Sequence, residues 1–167
     1  PDTIIEVGSW RGHSTLWLAR ACHENGVGRV YALDNWSLAG GSPQTLVDTL
    51  ADAGLDRYVV PVNGDSLAIE WPPVVNLAFL DGNHGRLYVE SEFQRCVQQS
   101  VRTIVLHDTT SWWGPRGLLD ELRTDSGLRE RYDIAEFPVG DGLTVLQAKE
   151  TKSAPKFTEA AYPFGYI

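Results

Sequence analysis

The apolar positions of this chain follow two rhythms, short unbroken runs and stripes spaced three and four residues apart. The runs at 3–7, 29–33, 58–62, 74–80 and 102–106 read as buried strands. Between the first two, Thr15, Leu18, Ala19 and Cys22 share one face of a helix over 14–24, which Asn25-Gly26 stops. Helices over 44–53, stopped at Gly54, and over 87–98 fill the later gaps. Trp71-Pro72-Pro73 forbids regular structure just before the fourth strand. A loop over 109–117 and a short helix over 118–123 follow the fifth. Then the rhythm changes: 132–137 and 143–147 flank Pro138-Val139-Gly140-Asp141-Gly142, the pattern of a β-hairpin. Strands alternating with helices through short loops predict an α/β fold on a parallel sheet, closed here by an antiparallel hairpin. Residues 1–150 read as one domain and 151–167 as a tail, in which Tyr162, Phe164 and Tyr166 alternate as in a docking segment.

Composition narrows the function classes. A chain of 167 residues, 43% hydrophobic, can bury a core of its own. Its 22 acids against 14 bases give a net charge of −8 with no basic cluster, which argues against nucleic acid and for a neutral or cationic small ligand. Cys22 and Cys96 fall on helices as small core residues, so a reducing, cytoplasmic setting is expected. No apolar run reaches membrane-spanning length and no signal peptide is visible, so no membrane partner is expected. Pro1 stands almost on the first strand and no methionine is present, as in a chain that lacks its natural first residues.

In an open parallel sheet, ligands bind beyond the carboxyl ends of the strands. Those ends read Gly8-Ser9, Asp34-Asn35, Gly64-Asp65-Ser66, Asp81-Gly82-Asn83-His84 and His107-Asp108-Thr109. Gly8 and Gly12 can let backbone approach a ligand, and Ser14 or Thr15 can cap the following helix. The turn is E-x-G-x-x-x-G, unlike the G-x-G-x-x-G of dinucleotide enzymes. Glu6 would repel a pyrophosphate but suits a ligand bearing an ammonium group. Asp34 stands where an acid accepts hydrogen bonds from ribose hydroxyls, although an Asx turn would also explain it. Asp65 and Ser66 can touch an adenine edge, cap a helix, or do both. Asp81 and Asp108 end neighbouring strands, where paired carboxylates share a proton or a cation. His84 is the candidate general base. His107 precedes Asp108 on the strand, so alternation turns it away and gives it a structural role. Trp10, Trp36, Trp112 and Trp113 lie in strand-end loops, able to stack on a ring or to cover the core.

Taken together these residues resemble class I S-adenosylmethionine-dependent methyltransferases, and most closely the small-molecule O-methyltransferase branch called the methyltransferase-24 family. The resemblance rests on motif I at 5–15, Asp34, Gly64-Asp65-Ser66, the D-G-x-H segment at 81–84 and His107-Asp108-Thr109, and it covers roughly residues 3–148. It implies a Rossmann-like three-layer sandwich on a mostly parallel seven-stranded sheet whose last strand is antiparallel. It also implies S-adenosylmethionine as cofactor, with Glu6, Gly8 and Gly12 around its methionine part, Asp34 on the ribose, and Asp65 and Ser66 on the adenine side. The strand-end residues Ser9, Ser14, Asn35 and Asp81 complete the expected cofactor-binding set. Relatives that use Mg²⁺ hold it with an acid at position 81 and an acidic pair at 107–108, which implies Asp81 and Asp108 as metal ligands here. This chain departs from that pair at His107.

The expected reaction is methyl transfer to a hydroxyl of a small molecule such as a sugar or another natural product, with His84 and Asp81 as catalytic residues. The sulfonium is already a good leaving group, so alignment and removal of one proton are the main tasks. A non-catalytic nucleotide-binding or assembly module on the same fold, and an NAD-dependent oxidoreductase, are the rival readings. A homo-oligomer is compatible with all three.

Overall fold

The structure is a computed structural model and describes residues 1–149. The aromatic alternation read over 162–167 lies outside the described residues. Strand β1 (Thr3–Val7) leads into helix α1 (His13–Asn25), then β2 (Arg29–Asp34), α2 (Pro43–Asp52) and β3 (Val59–Asn63). The chain crosses back to β4 (Leu77–Leu80), continues through α3 (Arg86–Gln98), β5 (Thr103–His107), α4 (Trp113–Leu122) and α5 (Ser126–Arg131), and ends in β6 (Tyr132–Phe137) and β7 (Leu143–Ala148). The seven strands form one sheet in the order β3-β2-β1-β4-β5-β7-β6. The first five run parallel, and β7 pairs antiparallel with both β5 and β6. This is the Rossmann-like sheet with an antiparallel terminal hairpin that the sequence implied.

Alternation along the strands splits the core into two layers. Ile4, Val30 and Ala32 face Ala19 and Cys22 of α1 and Leu46 and Leu50 of α2. Ile5, Val7, Leu80, Ile104 and Leu106 face Phe93 and Cys96 of α3 and Leu118 and Leu122 of α4. Each buried aliphatic side chain contributes about 1.5–3 kcal/mol. Cys22 and Cys96 are buried and free. Among the described residues, no helix is long and apolar enough to cross a membrane.

Three differences from the sequence reading go beyond a shift of one residue at an element's end. β4 begins at Leu77, not 74, because Val74 is exposed and the Asn76 side chain accepts the amides of Asp2 and Thr3 in place of a ladder. α4 begins at Trp113, inside the expected loop; Pro115 sits in its first turn, where an amide hydrogen has no helical partner. α5 went unread because it is short; Asp125 caps it by accepting from the Leu128 amide at 2.9 Å.

Register sets the functional edge. Val7 pairs with Leu33 on one side and Leu80 on the other, and Leu80 pairs with Leu106. Gly8, Asp34, Asp81 and His107 therefore leave the sheet side by side. From β1 the chain runs outward to β2, and β4 lies on the other flank, so the loops after β1 and β4 diverge and leave a crevice between them.

Candidate active site

The crevice is a cleft of about 870 Å³ over the carboxyl ends of the strands. Gly8, Ser9 and Ser14 form one wall, Asp34 and Asn35 the next, and Asp65 and Ser66 the third. Asp81, His84, Trp112 and Trp113 close the far side. Of the residues read from the sequence, Glu6, Gly12 and Asp108 lie behind this surface.

The first turn is tighter than its glycines suggested. Gly8 has φ +91°, and a Cβ there would stand 2.1 Å from the Asp81 carbonyl oxygen. Gly12 has φ +85°, with Leu46 where a Cβ would go. Both glycines are thus required by neighbouring protein as well as by the turn. Neither Ser14 nor Thr15 caps α1: Gly12 is its N-cap and no side chain serves there. The Thr15 hydroxyl instead donates to Glu6 Oε2. Glu6 shares the sheet face of Ile4, which turns it under α1, and it is fully buried. Burial pushes its carboxyl up to about 7 against the hydrogen bonds from Ser14 and Thr15, with the charges of Asp81 and Asp34 adding to the rise. Glu6 Oε1 and the buried Ser9 hydroxyl have no hydrogen-bond partner. Of the two, the Ser9 hydroxyl lines the cleft and is free to bond a ligand, while Glu6 lies behind it.

Asp34 ties two loops together. Its Oδ2 accepts the Trp10 amide at 2.7 Å and its Oδ1 the Trp36 amide at 2.6 Å. Trp10 and Trp36 both have left-handed backbones, at φ 41° and 47°. The Trp36 indole donates to the Trp10 carbonyl at 2.9 Å, and the Trp10 indole to the Ala39 carbonyl at 3.3 Å. These two rings therefore stitch the rim. Each Asp34 oxygen keeps a further lone pair for a hydroxyl. At the next strand end, Asp65 Oδ1 accepts the Leu67 amide in an Asx turn and caps no helix. The Tyr88 hydroxyl donates to Asp65 Oδ2 at 2.6 Å and, with Leu67, holds the Asp65 carboxyl below its usual range. The Ser66 hydroxyl donates to Glu92, a buried acid on α3 that burial raises to about 7. Glu92 stands on the same helical stripe as Val89, Phe93 and Cys96, a signal in the sequence that went unread.

The far side gathers four titratable groups. His84 Nε2 lies 2.5 Å from Asp108 Oδ2 and 3.8 Å from Asp81 Oδ1. His107 Nδ1 lies 3.2 Å from Asp81 Oδ1 and 3.2 Å from Asp108 Oδ1. Yet neither ring nitrogen makes an aligned hydrogen bond. Contact with Asp81 is the main cause that lifts His84 above the ordinary imidazole value; at 3.8 Å it is a charge contact, and the charges of Asp108 and Asp81 add to it while burial opposes. Burial raises Asp81, and the two histidines pull it back. The Trp112 ring stacks on His84 at 4.8 Å and 11°. His107 corrects the sequence reading, which turned it away from Asp108. Alternation ends with the strand: Asp108 has φ 60°, and that left-handed residue brings its carboxylate back beside the His107 ring. The signal was present in His107-Asp108-Thr109 as a strand end. One ligand atom each from Asp81, His107 and Asp108 falls within 4.8 Å of the others. Two carboxylates and an unpartnered imidazole nitrogen in that space fit a divalent cation.

The profile of the methyltransferase domain family called methyltransferase-24 matches residues 5–113. No curated protein sequence matches this chain. Among solved structures, a methyltransferase from Geobacter sulfurreducens is 19% identical over 90% of this chain and 72% of that one, with a TM-score of 0.67. The SAH-bound methyltransferase PaMTH1 of Podospora anserina is 20% identical over 89% of this chain and 72% of that one, with a TM-score of 0.64. A cofactor-bound protein from MTB is 20% identical over 90% of this chain and 74% of that one, with a TM-score of 0.67. At such identities the likeness speaks to the fold, and it agrees with the family match, which spans the turn after β1, the strand-end acids and the histidine cluster. The chain belongs to the methyltransferase domain family, and it is a methyltransferase.

Proposed function

We propose that residues 1–150 form one S-adenosylmethionine-dependent domain that methylates a hydroxyl of a small molecule, with 151–167 as a tail beyond it. One observation carries the reading: His84, paired with Asp108, stands in the same cleft as the glycine turn and Asp34. The donor would lie along β1 and β2, its ribose on Asp34, its adenine side near Asp65 and Ser66, and its positive end toward Asp81. When bound, the donor supplies a methyl carbon that the acceptor oxygen attacks as the carbon–sulfur bond breaks and its electron pair leaves with sulfur.

The protein's own work is alignment and proton removal. Alignment of two reactants can lower the barrier by several kcal/mol, up to about 7–11 in ideal cases. Trp112 and Trp113 are 50% and 65% exposed at the acceptor side and offer flat faces to a sugar or aromatic ring. His84 takes the hydroxyl proton, directly or through water. Its two carboxylate neighbours favour the imidazolium, so it serves best as a base when their charge is shared. A divalent cation on Asp81 and Asp108, such as the Mg²⁺ of similar enzymes, would share that charge and lower the pKa of a bound hydroxyl.

Calorimetry tests the donor: S-adenosylmethionine gives heat and NAD gives none, and the reverse result overturns the reading. His84→Ala is expected to lower turnover at least about 100-fold with donor affinity unchanged.

A further inference from the structure

We infer that the cation held at these strand ends is an imidazole-accepting transition ion with His107 as a ligand, in preference to Mg²⁺. The inference rests on the reading of Asp81 and Asp108 as cation ligands and adds the metal class and the third donor. His107 Nδ1 sits 3.2 Å from one oxygen of each acid. An ion bonded to N and O at about 2.1 Å sets neighbouring donors about 3.0 Å apart in an octahedron and about 3.4 Å apart in a tetrahedron. The observed spacing lies between the two.

Another role for His107 would leave a different mark. A structural imidazolium between two acids would aim its N–H along one of the N···O lines. Here Nδ1 is shielded from solvent and makes no aligned hydrogen bond to either oxygen. The His107 side chain is 34% exposed, yet its Nδ1 edge is turned from water and the ring lies beside Phe79, with centroids 6.1 Å apart. Nδ1 thus stands near both oxygens without being committed to either, as a donor to a shared third body would.

Donor chemistry then sets the preference. Mg²⁺ takes oxygen ligands and gives up water reluctantly. Imidazole suits zinc, iron, nickel and copper, and affinity rises from Mn²⁺ through Co²⁺ along the first row. Replacing one oxygen donor by Nδ1 therefore weakens the case for Mg²⁺ and strengthens that for Co²⁺ or Zn²⁺.

The test uses the whole chain, stripped with a chelator, with no donor or acceptor present. Co²⁺ is titrated by its visible absorption, and Zn²⁺ and Mg²⁺ by calorimetry. The expected result is one equivalent of Co²⁺ or Zn²⁺, bound at least about 100-fold more tightly than Mg²⁺. His107→Asp should weaken Co²⁺ at least about tenfold and narrow the gap to Mg²⁺. Asp81→Asn should weaken Co²⁺ as well, and it stands as the second variant should His107→Asp fail to fold by circular dichroism. Mg²⁺ binding as tightly as Co²⁺ would overturn the inference, as would Co²⁺ bands that His107→Asp leaves unchanged. Binding of no ion at all would also overturn it. Donor calorimetry in excess chelator separates the two levels: heat there keeps the methyltransferase reading whatever the metal result, and loss of heat under every metal condition removes the donor site itself.

Discussion

The two sides of the cleft follow one plan, acids at the ends of parallel strands, and are completed differently. Beside β1 and β2, Asp34 has both oxygens on backbone amides, and the indoles of Trp10 and Trp36 lock the same loops. Beside β4 and β5, Asp81, His84, His107 and Asp108 crowd together with both facing ring nitrogens unsatisfied. The first side is a cradle whose rim is tied by its own hydrogen bonds. The second is left with charge and lone pairs to spend on chemistry. On the function proposed above, binding and reaction are divided between the two flanks of β1 and β4, where the sheet order reverses.

Breaking the cradle should have the largest effect. Gly8→Ala places a Cβ against the Asp81 carbonyl in a left-handed backbone, and a loss of at least about 3 kcal/mol in urea unfolding is expected. On the reacting side, His84→Ala should leave urea stability nearly untouched while turnover falls, so the pair of variants separates scaffold from chemistry. Asp34→Ala strips acceptors from two amides and should cost about 1–2 kcal/mol together with about tenfold in donor affinity by calorimetry. Asp34→Asn, which keeps one acceptor, should recover part of the stability and little of the affinity.

Glu6 sharpens the comparison by pH. Its folded carboxyl lies near 7 and its unfolded one near 4.5. Below the unfolded value both states hold the proton, so the contribution is fully present. Between the two values only the folded state keeps it, so stability falls as pH rises, by an amount on the order of 3 kcal/mol, and the fall ends above the folded value. Glu92, also raised to about 7, adds a second fall of the same sign. Glu6→Gln should therefore remove about half of the stability difference between pH 5 and pH 8 in urea unfolding. An unchanged difference would mean that Glu6 is ionised in the folded protein.

The cradle side was largely legible. Gly8, Asp34 and the G-D-S turn stood at strand ends that the apolar runs marked. What the pattern missed there was the direction of Glu6, which the pleat turns beneath α1 and not into the cleft. The reacting side was half legible. Asp81, His84 and Asp108 could be named, but His107 was turned the wrong way because strand alternation was carried one residue past the strand. Trp113 was read as part of a loop over 109–117, whereas it opens α4. In the fold, Gly114 is needed where α4 passes close to the His84 carbonyl, and Pro115 suits a first helical turn.

By itself the sequence determined the order of strands and helices and the acidic character of their ends, since these follow from local periodicity and turn chemistry. Only the tertiary structure decided which donors share a space. Placing His107 Nδ1 between Asp81 and Asp108 takes a parallel register between β4 and β5 and a single left-handed residue at Asp108. Both arise from contacts between residues far apart in the chain, which no local pattern encodes.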